Sequence, residues 1–239
     1  MNLIVEIGNT AVKAALAEGT TLGRTFRYQG ERAVEFITSL VRKERPETLT
    51  VASTYELSPA EQARLQNCCP KSLIMGDGAL AAKYGFPEYL SNDRVASLVA
   101  VRYMFAGKNV TLVDFGTTLT VDVMGADGKY LGGNISPGCR TRFKSLSRYA
   151  KALPLVDIPE NPAPLGSSVT GSIESGVISG ILFEIEGYIE NYPGNVVVFT
   201  GGDAIYFVKR MKSSIFAVCN LVLIGLAIIT DDNVEKRLQ

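Results

Sequence analysis

The sequence predicts a duplicated α/β protein with a ligand cleft between its halves, and three observations carry that prediction. LIVEIGNTAVKA (Leu3 to Ala14) and LVDFGTTLTVD (Leu112 to Asp122) share one shape: aliphatic run, carboxylate, apolar residue, glycine, polar residue, threonine. Glu6 aligns with Asp114, Gly8 with Gly116 and Thr10 with Thr118. A strand–turn–strand–strand–helix plan follows each stretch, which divides the chain into residues 1–108 and 109–239. Ligands of such two-part folds gather between the parts.

Each element has a local reason. Asn2–Leu16 reads as two short strands around GNT, where glycine permits a backbone turn closed to other residues. Gly19 to Tyr28 is a second hairpin-like element. In Glu31–Arg45 the apolar residues Val34, Ile37, Leu40 and Val41 recur near helical spacing and predict an amphipathic helix. Leu49–Ser53 is a strand, Ser58–Gln66 a helix capped by Ser58, and Lys71–Met75 another strand. Leu80–Ser91, with Gly85 and Pro87, reads as irregular, and Asn92–Phe105 as a helix with Asn92 or Asp93 at its start. The second half restarts with strands Asn109–Phe115 and Leu119–Met124, a turn at Ala126-Asp127-Gly128, and a strand from Tyr130 to Ile135. Helices follow over Pro137 to Ala152 and Ser172–Ile189, then the strand Val196–Thr200 ending in Gly201-Gly202.

Composition narrows the chemistry. Lys+Arg and Asp+Glu are both 24, so no cationic surface for nucleic acid or an anionic membrane is indicated. Four cysteines without CxxC spacing argue against a disulfide framework and a zinc site, and fit a reducing compartment. No signal segment precedes Val5, and the apolar run Ile215 to Ile229 falls short of a membrane span, so the expected location is cytosolic. The chain has no histidine, which rules out Ser-His-Asp and Cys-His nucleophile schemes. A general base near neutral pH is therefore a carboxylate, or less readily a lysine, cysteine or tyrosine.

The two turns suit a phosphate chain. A glycine-rich β-turn offers backbone N–H groups and threonine hydroxyls to an anion. A carboxylate beside it can hold a cation or its waters. Taken singly, GNT and GTT also read as ordinary hairpin turns. No GxxxxGK[ST] or strand-following GxGxxG occurs, which sets aside the P-loop and dinucleotide folds. The architecture left that uses paired hairpins is the actin-like ATPase plan, whose third element is a strand ending in a double glycine. VVVFTGGDA (Val196–Ala204) supplies it.

With these elements placed, the chain resembles the type III pantothenate kinases, in the superfamily of acetate and sugar kinases, heat-shock ATPases and actin. EIGNTAVK and VDFGTTLTVD resemble the two phosphate segments, LSNDR the substrate segment, GGNISPG (Gly132–Gly138) a hallmark, and TGGDA the adenosine segment. GSIESGVISG and NLVLIGL resemble the helix near the dimer interface and the C-terminal signature. The resemblance implies duplicated ribonuclease H-like domains and transfer of the γ-phosphoryl group of ATP to pantothenate, the first step towards coenzyme A. It places Asp93 as catalytic base, against a plain N-cap, and Arg94 on the pantothenate carboxylate, against a solvated helix charge. Tyr84, Ser91, Asn92 and Val169 fall at substrate positions. Glu6, Ile7, Gly8, Asn9, Thr10, Ala11, Val12 and Lys13 would cradle ATP, with Asn9, Thr10 and Lys13 in direct contact, joined by Thr117, Gly201 and Gly202. Asp114 would bind potassium or ammonium, magnesium would arrive with the nucleotide, and the chain would form a homodimer.

The sequence departs from the family pattern at four places. Glu6 replaces a usual aspartate and Ser91 a glycine. Val169 stands where a substrate-contacting threonine is expected, with Thr170 one step later, and Ala150 replaces a common threonine. These changes leave two alternatives open: a kinase or ATPase of the same fold with another acceptor, and a binding protein that has lost catalysis.

Overall fold

A computed structural model of the chain describes residues 1–76 and 79–235. It consists of two compact units, Met1–Phe105 with Asn220–Gln239, and Ala106–Cys219.

The first unit is built on β1 (Asn2–Ile7), β2 (Val12–Glu18), β3 (Thr21–Tyr28), α1 (Ala33–Glu44), β4 (Thr48–Ser53), α2 (Pro59–Asn67), β5 (Lys71–Ile74), α3 (Ala79–Tyr84) and α4 (Asn92–Met104). Its sheet runs β3-β2-β1-β4-β5. The aliphatic β1 is the central strand, antiparallel to β2 and parallel to β4, and all of it but Asn2 is buried. Parallel neighbours need crossovers, which α1 and α2 provide. The face of α1 predicted from spacing, Val34, Ile37, Leu40 and Val41, is the face that packs on the sheet core with Leu3, Val5 and Val51. Ser58 caps α2 through a reciprocal pair of bonds with Glu61, as its position at the helix start implied. Leu80–Ser91, read from sequence as irregular, begins with the helical turns of α3. Gly85 and Pro87 carried the prediction and do stop the helix, but they lie after it.

The second unit repeats the plan with β6 (Val110–Phe115), β7 (Thr118–Met124), β8 (Tyr130–Pro137), α5 (Cys139–Tyr149), α6 (Val169–Asn191), β9 (Val196–Gly201), α7 (Ala204–Val208) and β10 (Ile215–Ala217). Its sheet order, β10-β9-β6-β7-β8, is that of the first with each strand replaced by its counterpart. Phe115 at the end of β6 stacks on Phe207 of α7 at 4.9 Å and tilts against Phe199 of β9 at 4.9 Å, filling the core below α6.

The last helix, α8 (Leu221–Glu235), corrects the predicted division. Sequence assigned residues 109–239 to the second half, yet α8 belongs to the first unit. Over residues 221–229 it is apolar on nearly every side, and that stretch is buried as such helices must be. It lies along α4 so closely that a Cβ on Gly225 would sit 1.8 Å from the Ala96 carbonyl oxygen. Thr230 meets Thr50 of β4 in a buried hydrogen bond of 2.7 Å.

Candidate functional site

In the first unit, the hairpin β1–β2 presents Glu6 and Lys13 directly opposite each other. Lys13 Nζ donates to Glu6 Oε2 at 3.2 Å. Glu6 is only 7% exposed. Burial pushes its carboxyl above the ordinary glutamate range, Lys13 opposes this, and the nearby Asp93 carboxylate adds to it. The turn closes with Gly8 N–H donating to the Ala11 carbonyl at 3.1 Å and leaves Asn9 and Thr10 exposed. Ile7 and Val12 pair across the same hairpin and are buried, so their side chains are core and only their backbone can meet a ligand. That limits the ATP-cradling role expected for these two residues.

Asp93 lies in the first turn of α4, and Ser91 is the N-cap. This removes the reading of Asp93 as a plain cap. Its Oδ1 is buried without a hydrogen-bond partner among the described residues. A buried acceptor left unmatched is costly, so such an atom points to a partner supplied from outside the chain. Arg94 is 8% exposed, which excludes the solvated-charge reading. Asn92 is buried and its side chain donates to the Met75 carbonyl at 3.4 Å, while exposed Ser91 makes no cap bond with its side chain. Half-buried Tyr84 ends α3, its hydroxyl donating to Asp232.

In the second unit, Asp114 lies near the end of β6, beside the exposed turn Gly116-Thr117. Two donors anchor the Thr117 carbonyl: Gly138 N–H at 3.0 Å and Thr141 Oγ1 at 2.6 Å. The hallmark GGNISPG thus ends where the GTT turn is fixed. Gly201, with φ +93°, brings β9 against the same place, and a Cβ there would lie 2.4 Å from Asp114 Oδ1. Gly202 follows in open space. Val169 begins α6 and is 57% exposed, with Thr170 beside it also exposed; Ser168 caps the helix by accepting from Gly171 N–H at 3.1 Å. Ala150 is the C-cap of α5.

Sequence reasoning passed over two groups here. Arg142 on α5 bonds both Ser136, inside the hallmark, at 3.1 Å and Glu184 on α6, and Ser136 Oγ donates to Glu184 Oε1 at 2.6 Å. Asp203 follows the double glycine, and burial raises its carboxyl pKa while Arg140 opposes the rise. Spacing gives no signal for either, because their partners lie on other elements.

Among the described residues no cluster of three or more His, Cys, Asp or Glu could hold a metal ion, and no helix is long and apolar enough to cross a membrane. The neighbouring carboxylates Glu6 and Asp93, both in the first unit, suit an ion that brings most of its own ligands. Magnesium does so, keeping waters and phosphate oxygens and taking one or two carboxylates.

Comparison with known proteins gives one family. The type III pantothenate kinase family model matches residues 2–191. The type III pantothenate kinase of Cytophaga hutchinsonii is 35% identical, the match covering 98% of this chain and all of that protein. That of Bacteroides fragilis is 36% identical over 95% of this chain and 96% of its own. Among solved structures, a protein described as a Baf family transcriptional activator from Campylobacter jejuni superposes with a TM-score of 0.66 at 19% identity, covering 98% and 99% of the two chains. The activator of 2-hydroxyisocaproyl-CoA dehydratase from Clostridium difficile, solved with ADPNP bound, gives 0.61 at 14%, covering 99% and 96%. The ROK hexokinase of Thermus thermophilus gives 0.52 at 13%, covering 95% and 96%. These likenesses establish the fold as the duplicated, actin-like ATPase architecture.

Proposed function

The chain belongs to the type III pantothenate kinase family, and from that premise we propose that it transfers the γ-phosphoryl group of ATP to the primary hydroxyl of pantothenate. The product, 4′-phosphopantothenate, opens coenzyme A biosynthesis. The observation that carries the assignment of roles is Asp93 Oδ1, in the first turn of α4, buried and without a partner among the described residues. Phosphoryl transfer requires positioning, charge neutralisation and an acceptor for the hydroxyl proton. In a chain without histidine, Asp93 supplies that acceptor.

Arg94 holds the pantothenate carboxylate by charge-assisted hydrogen bonds, which are strongest where water is excluded. Tyr84, Ser91 and Asn92 line the same substrate segment, and Val169 contributes an apolar contact where the family resemblance implies a threonine. From the first unit, the turn residues Asn9 to Ala11 offer backbone N–H groups, Asn9 and Thr10 offer side chains, and Lys13 offers positive charge to the phosphates. From the second, Thr117 meets the phosphates and the open backbone at Gly201-Gly202 admits adenosine. Glu6 and Asp93 are the carboxylates that would hold, through water, a magnesium ion arriving with the nucleotide, and that ion would supply charge neutralisation for the transferring oxygens. Asp114, an oxygen donor beside closely packed backbone, is assigned to potassium or ammonium.

A homodimer through the second unit is supported by its exposed apolar residues Leu131, Ile135 and Phe183. Four free cysteines suit a cytoplasmic location. The test is mass spectrometry of ATP and pantothenate with the enzyme, with and without potassium, alongside light scattering for the oligomer. Phosphopantothenate formed faster with potassium is the expected result. Phosphorylation of a sugar but not pantothenate, or nucleotide binding with no turnover, would overturn the assignment.

A further inference from the structure

Tyr84 is held from two sides within the first unit. Its hydroxyl donates to Asp232 Oδ2 at 2.8 Å, and the Arg102 guanidinium donates to its backbone carbonyl at 2.9 Å. Arg102 also covers the Phe86 ring at 4.2 Å, and Lys83 Nζ donates to Asn233 Oδ1 at 2.6 Å. Asp232 and Asn233 belong to α8, and Arg102 to α4, the helix that carries Asp93 and Arg94. The segment before the catalytic helix is thus tied both to that helix and to its packing partner.

A phenol has one proton to donate. Here it is committed to Asp232, so the valence left to Tyr84 is the lone pair of its oxygen. Burial and the Asp232 carboxylate both raise the phenol's pKa, which keeps that proton in place at neutral pH. We infer that Asp232 is a positioning residue that makes Tyr84 a hydrogen-bond acceptor towards the substrate, so that the enzyme selects acceptor alcohols presenting an N–H or O–H donor there. This rests on the assignment of pantothenate as substrate and of Tyr84 to its binding. Pantothenate offers a secondary hydroxyl and an amide N–H besides the reacting alcohol.

The experiment is a kinetic cycle of Asp232→Asn, Tyr84→Phe and the double variant, with thermal melting of each. The amide of Asp232→Asn can donate to the phenol oxygen, which occupies its lone pair and frees its proton. The expected result is a pantothenate KM about 10-fold higher in either single variant, with kcat and the KM for ATP nearly unchanged. The double variant should be no worse than the singles, because both changes remove one interaction. Pantothenate analogues lacking the secondary hydroxyl, or with an ester oxygen for the amide N–H, add a second readout. One of the two should be discriminated by the wild type and not by Tyr84→Phe. Additive losses, melting shifts without a KM change, or indifference to both analogues would overturn the inference while leaving the kinase activity standing. A wild type inactive on pantothenate would overturn the function as well.

Discussion

Across the first hairpin Glu6 stands opposite Lys13, and across the second Asp114 stands opposite Thr120. On their other flanks the same two carboxylates face Ala52 and Thr200. One step further, Ile7 faces Ser53 in the first unit, and Phe115 faces Gly201 in the second. The strand plans superimpose, so the difference lies in the side chains that surround each carboxylate. The first hairpin sets a lysine against its glutamate and has Asp93 near it. The second gives up a side chain at Gly201 so that backbone can press against Asp114. One geometry occurs twice, and the residue changes give one copy a buried Glu6–Lys13 pair and the other a carboxylate packed against glycine backbone.

The largest expected effect separates these roles. Asp93→Asn keeps shape and removes the proposed proton acceptor, so kcat should fall about 10²–10⁴-fold with ATP affinity retained. Asp114→Asn should leave more turnover than that and weaken the proposed dependence on potassium, seen by titrating the salt. Equal losses in both variants, with no change in cation response, would erase the distinction. Next comes the packing contrast. Gly201→Ala places a methyl group 2.4 Å from Asp114 Oδ1 on a backbone with φ +93°, and should cost roughly 2 kcal/mol in urea denaturation. Ser53→Ala, at the equivalent place, loses an exposed hydrogen bond to the Tyr55 carbonyl and should cost less than about 1 kcal/mol.

A pH experiment sharpens the electrostatic half. Because burial raises the Glu6 carboxyl above 4.5, the native protein keeps a proton there that the unfolded chain has released. Across that window the folded state binds more protons, so stability falls as pH rises. Glu6→Gln should flatten this segment of the stability curve, and Lys13→Met should extend it to higher pH, because the opposing cation is gone. A curve unchanged in both would show that Glu6 does not titrate differently on folding. The smallest contrast is between helix caps. Ser58→Ala loses the bond its hydroxyl accepts from Glu61 N–H and the one it donates to Glu61 Oε2, while the backbone half of the capping box remains; it should cost about 1 kcal/mol, more than Ser168→Ala, which loses one. Melting temperatures would rank them.

Much of this was legible in the sequence because the rules involved are local. The doubled acid–x–Gly–x–Thr turn, the apolar face of α1, the Ser58 cap and the strand before Gly201-Gly202 each follow from residues within one element. The site was legible as a set of motifs but not as an environment. Nothing near Arg94 in sequence says that it is buried, and a run starting Ser-Asn-Asp does not say which of the three caps the helix. Asp93 reads differently once Ser91 holds that place and Oδ1 is left without a partner among the described residues.

By itself, then, the sequence determined the repeat, the residue types available for catalysis and the turns that could meet phosphate, since spacing and composition need no neighbours. Tertiary structure alone decided where α8 lies, and with it the Thr50–Thr230 bond, the Gly225 contact with Ala96 and the commitment of the Tyr84 proton to Asp232. Those depend on which buried surface a distant helix covers, a choice made by packing among all the elements together.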